Sequence, residues 1–364
     1  MTELPRAGSA AMASTPPHPW GPGTAGPRIT IVIPVSGVAD QLAACLDSIL
    51  AQPCPGLEVV AVDDCSPDRC GEILDEYARR DARLRVIHLD AAIGPGRARN
   101  IGLDRGTGDY VWFVDADDLL TEGSIAAVTS RLALAAPDVL LIDFARMAPS
   151  GAVQPNASRH LLRDSSTRRI FTLRDRPEMI RLTMTSWSKV IRRSYLTGLG
   201  LRFEPGIHED VPFTCALLMD AERIATLDTV CYLYRQGRRG ALTNTPSRDN
   251  FQVFARYEKV FAAIGSCPAR LGPFWPVIFD RAIWHYATVF DSPRCVPRHA
   301  RREFFHRMSG HFARFRPPGY SYPPGLRAMK YRLVERDAYL AYLAVQPMNQ
   351  ARIALRELLR RAGG

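Results

Sequence analysis

The stretch YVWFVDADD, from Tyr110 to Asp118, joins an apolar run to a cluster of three carboxylates. Its first five residues have the profile of a buried β-strand, and the acidic residues follow where that strand would end. Asp115 and Asp117 are two positions apart, so they would share one face of a continued strand. Two carboxylates on one face suit Mg²⁺ or Mn²⁺. An acidic loop that caps a helix near Ser124 is the alternative.

Around this stretch, β-branched runs alternate with helical patterns. Strands are predicted at 29–35, 57–62, 84–89 and 110–114, with helices at 41–50, 70–80 and 96–105 between them. This alternation predicts an α/β fold with a parallel, doubly wound sheet, which binds ligands at the carboxyl ends of its strands. Four aspartates lie at such ends: Asp63, Asp64, Asp115 and Asp117.

The length of 364 residues, with 46% hydrophobic and 23% charged residues, predicts one large or two smaller globular domains. Residues 1–27 are rich in proline and glycine and are predicted to be a disordered tail that is not a signal peptide. No uncharged apolar stretch approaches the roughly 18 residues that span a bilayer. The eight cysteines lack metal-type spacing, so we interpret them as reduced structural thiols of a cytoplasmic protein.

The second half of the chain has a different pattern. A strand is predicted at 138–144 and a mobile loop or short hairpin at 150–178. A helix at 211–219 and a strand at 224–234 follow. After Asn250 the pattern is wholly helical, with helices predicted at about 251–264, 273–290, 326–343 and 348–361.

Positive charge is concentrated near the end of the chain. Residues 291–364 contain fifteen arginines and lysines against five acidic residues, which equals the net charge of +10 for the whole chain. This asymmetry indicates an acidic partner, such as a membrane surface or an anionic polymer, or a solvated helical face. A nucleic-acid partner is not expected, because the region has no recognised motif or basic–aromatic platform.

Two further loops carry polar residues at predicted strand ends. Asp63 and Asp64 could accept hydrogen bonds from a base or a ribose, or could cap the following helix. In the loop IGPGRARN, Arg99 and Asn100 lie just inside a helix start, where the backbone N–H groups and a guanidinium favour a phosphate. Gly-Pro-Gly is also an ordinary turn, so neither loop is specific alone.

In this order, the pieces resemble a family 2 glycosyltransferase with the GT-A fold. The matching pieces are the strand ending at Pro34, VDDCS at 62–66, the glycine–arginine loop at 94–102 and the run at 108–118. The resemblance is close over 28–145. It continues more loosely to about 245, through WSK at 187–189, HED at 208–210 and YLYR at 232–235. It implies a GT-A domain at 28–245, followed by a helical, basic region at 246–364.

The resemblance implies a role for each matching residue. The nucleotide-sugar site is implied at Pro34, Val35, Asp63, Asp64, Arg99, Asn100 and Asp115. Asp115 would face the ribose and Asp117 the metal at the diphosphate, so both are metal-site candidates, and His208 is a further one. In the pair Glu209-Asp210, the aspartate matches the usual base.

The implied reaction is an inverting, metal-dependent glycosyl transfer of hexosyl or N-acetylhexosaminyl type. The donor would be a nucleotide-diphosphate sugar, a UDP-sugar above all, with Mg²⁺ or Mn²⁺ neutralising the diphosphate. The acceptor would be a glycan, a lipid-linked molecule or an anionic polymer of the cell envelope. The expected location is cytoplasmic, with peripheral contact to the inner face of the membrane through the basic region.

Some positions depart from the family pattern or leave alternatives open. Ser36 stands where many relatives carry a tyrosine against the base. The Gln-x-x-Arg-Trp motif of processive synthases is absent, which favours a non-processive enzyme. Trp187 could be an acceptor platform or a core residue. The alternative function is a decayed transferase that acts as a docking module for anionic polymers or membrane surfaces.

Overall fold

The computed structural model describes residues 26–163, 170–182, 184–237 and 245–345. The predicted tail at 1–27 and the predicted helix at 348–361 therefore fall mostly or wholly outside the described residues. Within them, no helix is long and apolar enough to cross a membrane.

The described residues contain nine strands, eleven α-helices and a further helical stretch at 339–345. The strands are β1 (Ile29–Val35), β2 (Leu57–Asp63), β3 (Leu84–His88), β4 (Tyr110–Phe113), β5 (Leu119–Leu120), β6 (Val139–Met147), β7 (Val153–Pro155), β8 (Lys189–Arg192) and β9 (Ile224–Arg235). The helices are α1 (Ala39–Leu50), α2 (Cys70–Arg80), α3 (Pro95–Arg105), α4 (Ser124–Ala135), α5 (Arg193–Gly198), α6 (Asp210–Asp220), α7 (Gln252–Ser266), α8 (Pro268–Leu271), α9 (Trp275–Asp291), α10 (Arg301–Phe315) and α11 (Leu326–Glu335).

The strands form one mixed sheet in the order β3-β2-β1-β4-β8-β6-β9-β5, and β7 pairs with β6. The predicted parallel core is confirmed, because β1 pairs in parallel with β2 on one side and β4 on the other. The strand order reverses there, which makes it the switch point where open α/β sheets bind ligands. Strands β5, β7 and β8 pair antiparallel to their neighbours, and the sequence pattern did not predict β5.

Alternation along the central strands buries both faces of the sheet. Ile31 and Trp112 belong to the core that packs under α1, α2 and α4. Val32 and Phe113, one position further on, belong to the core on the opposite face. A strand covered on both faces reads as a continuous apolar run, which is why β1 and β4 stand out in the sequence.

The helical region after residue 245 packs directly on the sheet domain. One apolar cluster runs from Val32 and Phe113 through α6 to Phe254 on α7 and Tyr286 on α9. The division at 245/246 stays a prediction, but the two parts share this core. The region can therefore position residues near the sheet's carboxyl edge.

Candidate active site

Asp64 holds the loop between β3 and α3 in place. One carboxylate oxygen accepts a hydrogen bond from the Ile93 backbone N–H at 2.6 Å, and the other accepts from Gly94 at 2.8 Å. The Asp64 backbone N–H bonds the carbonyl of Val35, at the end of β1, at 2.8 Å. The predicted nucleotide residues Pro34, Val35 and Asp64 therefore meet at one strand edge. Their contact with a base stays a prediction.

Asp63 is paired with a histidine from the neighbouring strand. Its Oδ2 lies 2.9 Å from Nδ1 of His88, and Oδ1 accepts from the Ser66 backbone N–H at 3.1 Å. Nε2 of His88 lies 3.1 Å from Asp75 Oδ1. Hydrogen bonds to Asp63 and then Asp75 raise the pKa of His88, so its charged form stabilises this turn.

The aspartate loop after β4 is supported from β9. The hydroxyl of Tyr232 donates to Asp118 Oδ2 at 2.6 Å and accepts from the Asp115 backbone N–H at 3.1 Å. The backbone N–H of Arg235 donates to Asp118 Oδ1 at 2.7 Å. Burial, followed by the charges of Asp115 and Asp117, raises the pKa of Asp118 to about 9. Asp118 is thus a structural acid of the turn.

Trp187 lies in the core beneath this loop. It is 3% exposed and stacks on Tyr232, with ring centroids 4.4 Å apart and an interplanar angle of 9°. Phe144 packs against it edge-on at 4.8 Å. The acceptor-platform alternative is therefore wrong: Trp187 fixes the tyrosine that carries the aspartate loop.

Arg99 joins the two acidic parts of the site. It is 5% exposed. Its Nη2 donates to Asp115 Oδ1 at 2.8 Å, and Nη1 donates to Glu209 Oε1 at 2.7 Å. Nη1 also lies 3.9 Å from Asp210 Oδ1. Arg99 can reach these acids because α3 packs closely on β1. Gly102, one turn after Arg99, allows this close packing, since a Cβ at that position would lie 2.3 Å from a side-chain atom of Val32.

Asp210 begins α6 and is the least satisfied acid of the site. Its side chain is 19% exposed, and within the described part of the chain Oδ1 has no hydrogen-bond partner. Burial raises its pKa to about 7; Arg99 opposes this shift, and the charges of Glu209 and Asp115 add to it. A carboxylate that titrates near neutral pH can take up a proton from a substrate hydroxyl.

Two elements clamp the loop that leads to this acid. On one side, the amide of Asn100 donates to the Phe203 carbonyl at 2.8 Å and accepts from the Phe203 N–H at 2.9 Å. On the other, Arg256 of α7 donates to Glu204 Oε2 and the Pro205 carbonyl at 2.5 Å each, and to the Ile207 carbonyl at 3.2 Å. The described bonds of Asn100 position the loop, and its place near the donor sugar stays a prediction.

Arg256 was not among the predicted site residues, although its position in the sequence carried a signal. Val253, Tyr257 and Val260 form the buried stripe of α7, and Arg256 falls on the same side at helical spacing. A charged residue within an apolar stripe needs buried partners. Loop carbonyls and a carboxylate supply them here.

His208 faces the helical region in its described contacts. Its Nε2 lies 3.3 Å from Asn250 Oδ1, and its ring packs edge-on against His285 at 5.2 Å. Burial lowers its pKa to about 4. Among the described residues, no group of three or more histidine, cysteine or acidic side chains could hold a metal ion. A Mg²⁺ or Mn²⁺ ion at Asp115 and Asp117 would therefore need further ligands from the donor diphosphate, an arrangement that is common for Mg²⁺.

Comparisons with known proteins agree with this architecture. Residues 30–198 match the model of the family described as Glycosyl transferase family 2. The uncharacterized glycosyltransferase EpsJ of Bacillus subtilis is 31% identical over 226 residues, which cover 60% of this chain and 64% of EpsJ. The poly(ribitol-phosphate) beta-N-acetylglucosaminyltransferase TarS of Staphylococcus aureus is 29% identical over 222 residues, covering 58% of this chain and 36% of TarS. The chain thus spans less than two thirds of these relatives.

A solved structure is similar over a longer range. The crystal structure of S. aureus TarS 1-349 in complex with UDP-GlcNAc superposes with a TM-score of 0.69 at 18% identity. The match covers 89% of this chain and 92% of that one. It confirms the predicted GT-A fold and includes much of the helical region.

Proposed function

Residues 30–198 match the model of glycosyltransferase family 2, and on this premise we propose that the protein transfers a sugar from a nucleotide-diphosphate sugar to an acceptor hydroxyl with inversion. The match to the family model and the similarity to EpsJ support a glycosyltransferase activity. The UDP-sugar donor, the divalent metal and a cell-envelope polymer as acceptor are the proposed details. Similarity to a poly(ribitol-phosphate) transferase supports the acceptor class.

The bridge made by Arg99 carries this proposal. The guanidinium of Arg99 contacts Asp115, just after β4, and also Glu209 and Asp210. The last two residues are more than ninety positions after Asp115 in the sequence. A diphosphate-side acid and a candidate base are thus neighbours. A reaction that breaks a sugar–phosphate bond while deprotonating a hydroxyl needs both at once.

In the proposed mechanism, Asp210 accepts the proton of the acceptor hydroxyl. The acceptor oxygen forms a bond to the anomeric carbon as the bond from that carbon to the diphosphate oxygen breaks, and the electron pair leaves with the diphosphate. Attack opposite the leaving group inverts the configuration. Glu209 holds Arg99, and Arg99 opposes the rise in the pKa of Asp210.

The donor set near the diphosphate suits a hard cation. Asp115 and Asp117 offer carboxylate oxygens, and Asp118 is already engaged with Tyr232 and Arg235. A bound Mg²⁺ or Mn²⁺ would neutralise the leaving diphosphate. Asp117 and Asp115 would hold it.

A donor screen tests the proposal. We expect one nucleotide-sugar of a panel, incubated with Mg²⁺ or Mn²⁺, to be turned over and the released nucleotide to be detected by mass spectrometry. Asp117→Asn should remove the metal-dependent rate, and Asp210→Asn should lower turnover by about 10²–10⁴-fold. Asp40→Asn, on the exposed part of α1, is the matched control and should behave as wild type. The proposal fails if no donor is turned over, or if Asp117→Asn equals wild type.

The basic C-terminal region is proposed to approach the anionic acceptor or the inner face of the membrane. Electrostatic binding of this kind weakens with salt. Flotation with anionic vesicles at low and high salt tests the membrane arm. Vesicle binding without turnover of any donor would instead favour the docking-module alternative.

A further inference from the structure

His208 turns the chain immediately before the two acids of the site. Its φ is 58°, in the left-handed region, which a Cβ disfavours and which glycine adopts freely. Two residues earlier, at Gly206, the φ of 98° is met by a glycine. At position 208 a glycine would satisfy the same backbone requirement with less steric strain. The imidazole at this position therefore needs its own explanation.

The imidazole contacts a buried asparagine of the helical region. Nε2 of His208 lies 3.3 Å from Oδ1 of Asn250, which is 1% exposed. The amide nitrogen of Asn250 donates to the carbonyls of Cys295 at 2.9 Å and of Ser247 at 3.4 Å. The oxygen of this amide therefore faces His208, and the neutral imidazole donates through Nε2. Because His285 packs edge-on against the same ring, the ring is held by two contacts.

The backbone on both sides of His208 is also held. Before it, the backbone N–H of Ile207 donates to Oε1 of Gln252 on α7 at 3.2 Å. After it, the carbonyl of His208 accepts from the backbone N–H of Val211 at 3.1 Å, in the first turn of α6. Asp210 is the first residue of that helix. The conformation of His208 thus sets the direction in which α6 starts.

The aim of Asp210 depends on this backbone. Glu209 is fixed by its 2.7 Å hydrogen bond from Arg99. It also packs against Gly96 at the start of α3, where a Cβ would lie 3.1 Å from Cγ of Glu209. Oδ1 of Asp210, in contrast, has no hydrogen-bond partner within the described ranges. The loop that carries Asp210 must therefore orient it.

We propose that His208 is a positioning residue for the base: its hydrogen bond to Asn250 holds the loop in the conformation that aims Asp210 at the acceptor hydroxyl. The helical region thereby takes part in forming a site whose nucleotide side lies on the sheet. This inference rests on the proposed function for the role of Asp210. The fixed turn itself is argued from the backbone angle, the oriented asparagine and the ring packing.

Two substitutions separate the side chain from the backbone. His208→Gly suits the left-handed backbone but loses the bond to Asn250, whereas His208→Gln keeps an N–H donor of similar reach. With the donor found in the screen, we expect His208→Gly to lower the turnover number by about 10–100-fold, because a displacement of about 1 Å costs a rate of that order. The KM for the donor should stay unchanged, and His208→Gln should keep most of the wild-type turnover number. Ala136→Gly, at a left-handed position after α4, is the matched control and should behave as wild type.

Hydrogen exchange observes the loop without requiring turnover, and a cooperative melt shows that each variant is folded. The backbone amides of residues 207–211 should exchange faster in His208→Gly than in wild type, and slow exchange should return in His208→Gln. The inference is overturned by an equal turnover number in His208→Gly and wild type, by equal exchange of these amides, or by a loss that His208→Gln does not restore. Faster exchange in His208→Gly alone, in a protein that turns over no donor, would leave the fixed turn standing and reject only the proposed function.

Discussion

Replacing Asp210 with asparagine should make the protein more stable at pH 8 while lowering its turnover. Burial raises the pKa of Asp210 from 3.8 to about 7. Since the unfolded chain has the ordinary value, the native state binds more protons than the unfolded state between about pH 4 and pH 7. Stability therefore falls as pH rises through that window. The destabilisation is complete above pH 7 and absent below pH 4.

The magnitude follows from the size of that difference. Three pH units, at about 1.4 kcal/mol each, correspond to about 4 kcal/mol of destabilisation by the ionised Asp210. Asparagine has nearly the same shape and carries no charge, so Asp210→Asn recovers up to this amount at pH 8. It should recover almost nothing at pH 4, where the wild-type acid is already neutral. Oδ1 of Asp210 has no hydrogen-bond partner in the described structure, so the substitution breaks no bond of that atom.

Thermal melting of both proteins at pH 4 and pH 8 provides the assay. We expect the melting temperature of Asp210→Asn to exceed that of wild type by several degrees at pH 8 only. Glu209→Gln is the matched control, because it loses the 2.7 Å ion pair with Arg99 and should be less stable than wild type at pH 8. The reasoning is refuted if Asp210→Asn melts below wild type at pH 8, or if its gain is equal at both pH values.

Three further substitutions test the parts that hold this site. Arg256→Met should lower the turnover number more than it raises the KM for the donor, because it releases the loop before Asp210 and leaves the carboxyl edge of the sheet intact. Steady-state kinetics measure both constants, and an unchanged turnover number would contradict this prediction. Gly102→Ala should cost about 1–3 kcal/mol, since its Cβ would lie 2.3 Å from Val32. Gly310→Ala, in open space on α10, should instead stabilise by about 1 kcal/mol, and denaturant unfolding compares the two. Tyr232→Phe removes the hydroxyl that is hydrogen-bonded to Asp118 and to the Asp115 backbone N–H, and it should weaken Mn²⁺ affinity, measured by calorimetry. Equal Mn²⁺ affinity in both proteins would show that this hydroxyl does not support the metal site.

Local patterns were enough to predict the elements that carry the acids. Strands β1 and β4 are buried on both faces, so each appears as an apolar run. Asp63 and Asp115 then fall at carboxyl ends by strand length alone. The pattern was weaker at β5, whose two residues are too few to show a period.

Roles within the site depended on contacts that no local pattern contains. The ligand roles of Asn100 and Asp64 stay predictions, and the fold adds that their described hydrogen bonds go to backbone groups of loops. Trp187 looked equally suited to a surface or a core. Its burial follows from the pairing of β8 between β4 and β6.

The sequence by itself determined the sheet, its acidic edge and the resemblance to family 2 glycosyltransferases, because strand period, turn residues and motif order are local properties. Only the tertiary structure decided which acidic side chains contact the same arginine. Arg99 meets Asp115 and Glu209 across 110 positions of chain, and Arg256 reaches the same loop from a helix beyond the family match. Burial and partner choice are set by the whole packed core, and a sequence window does not contain them.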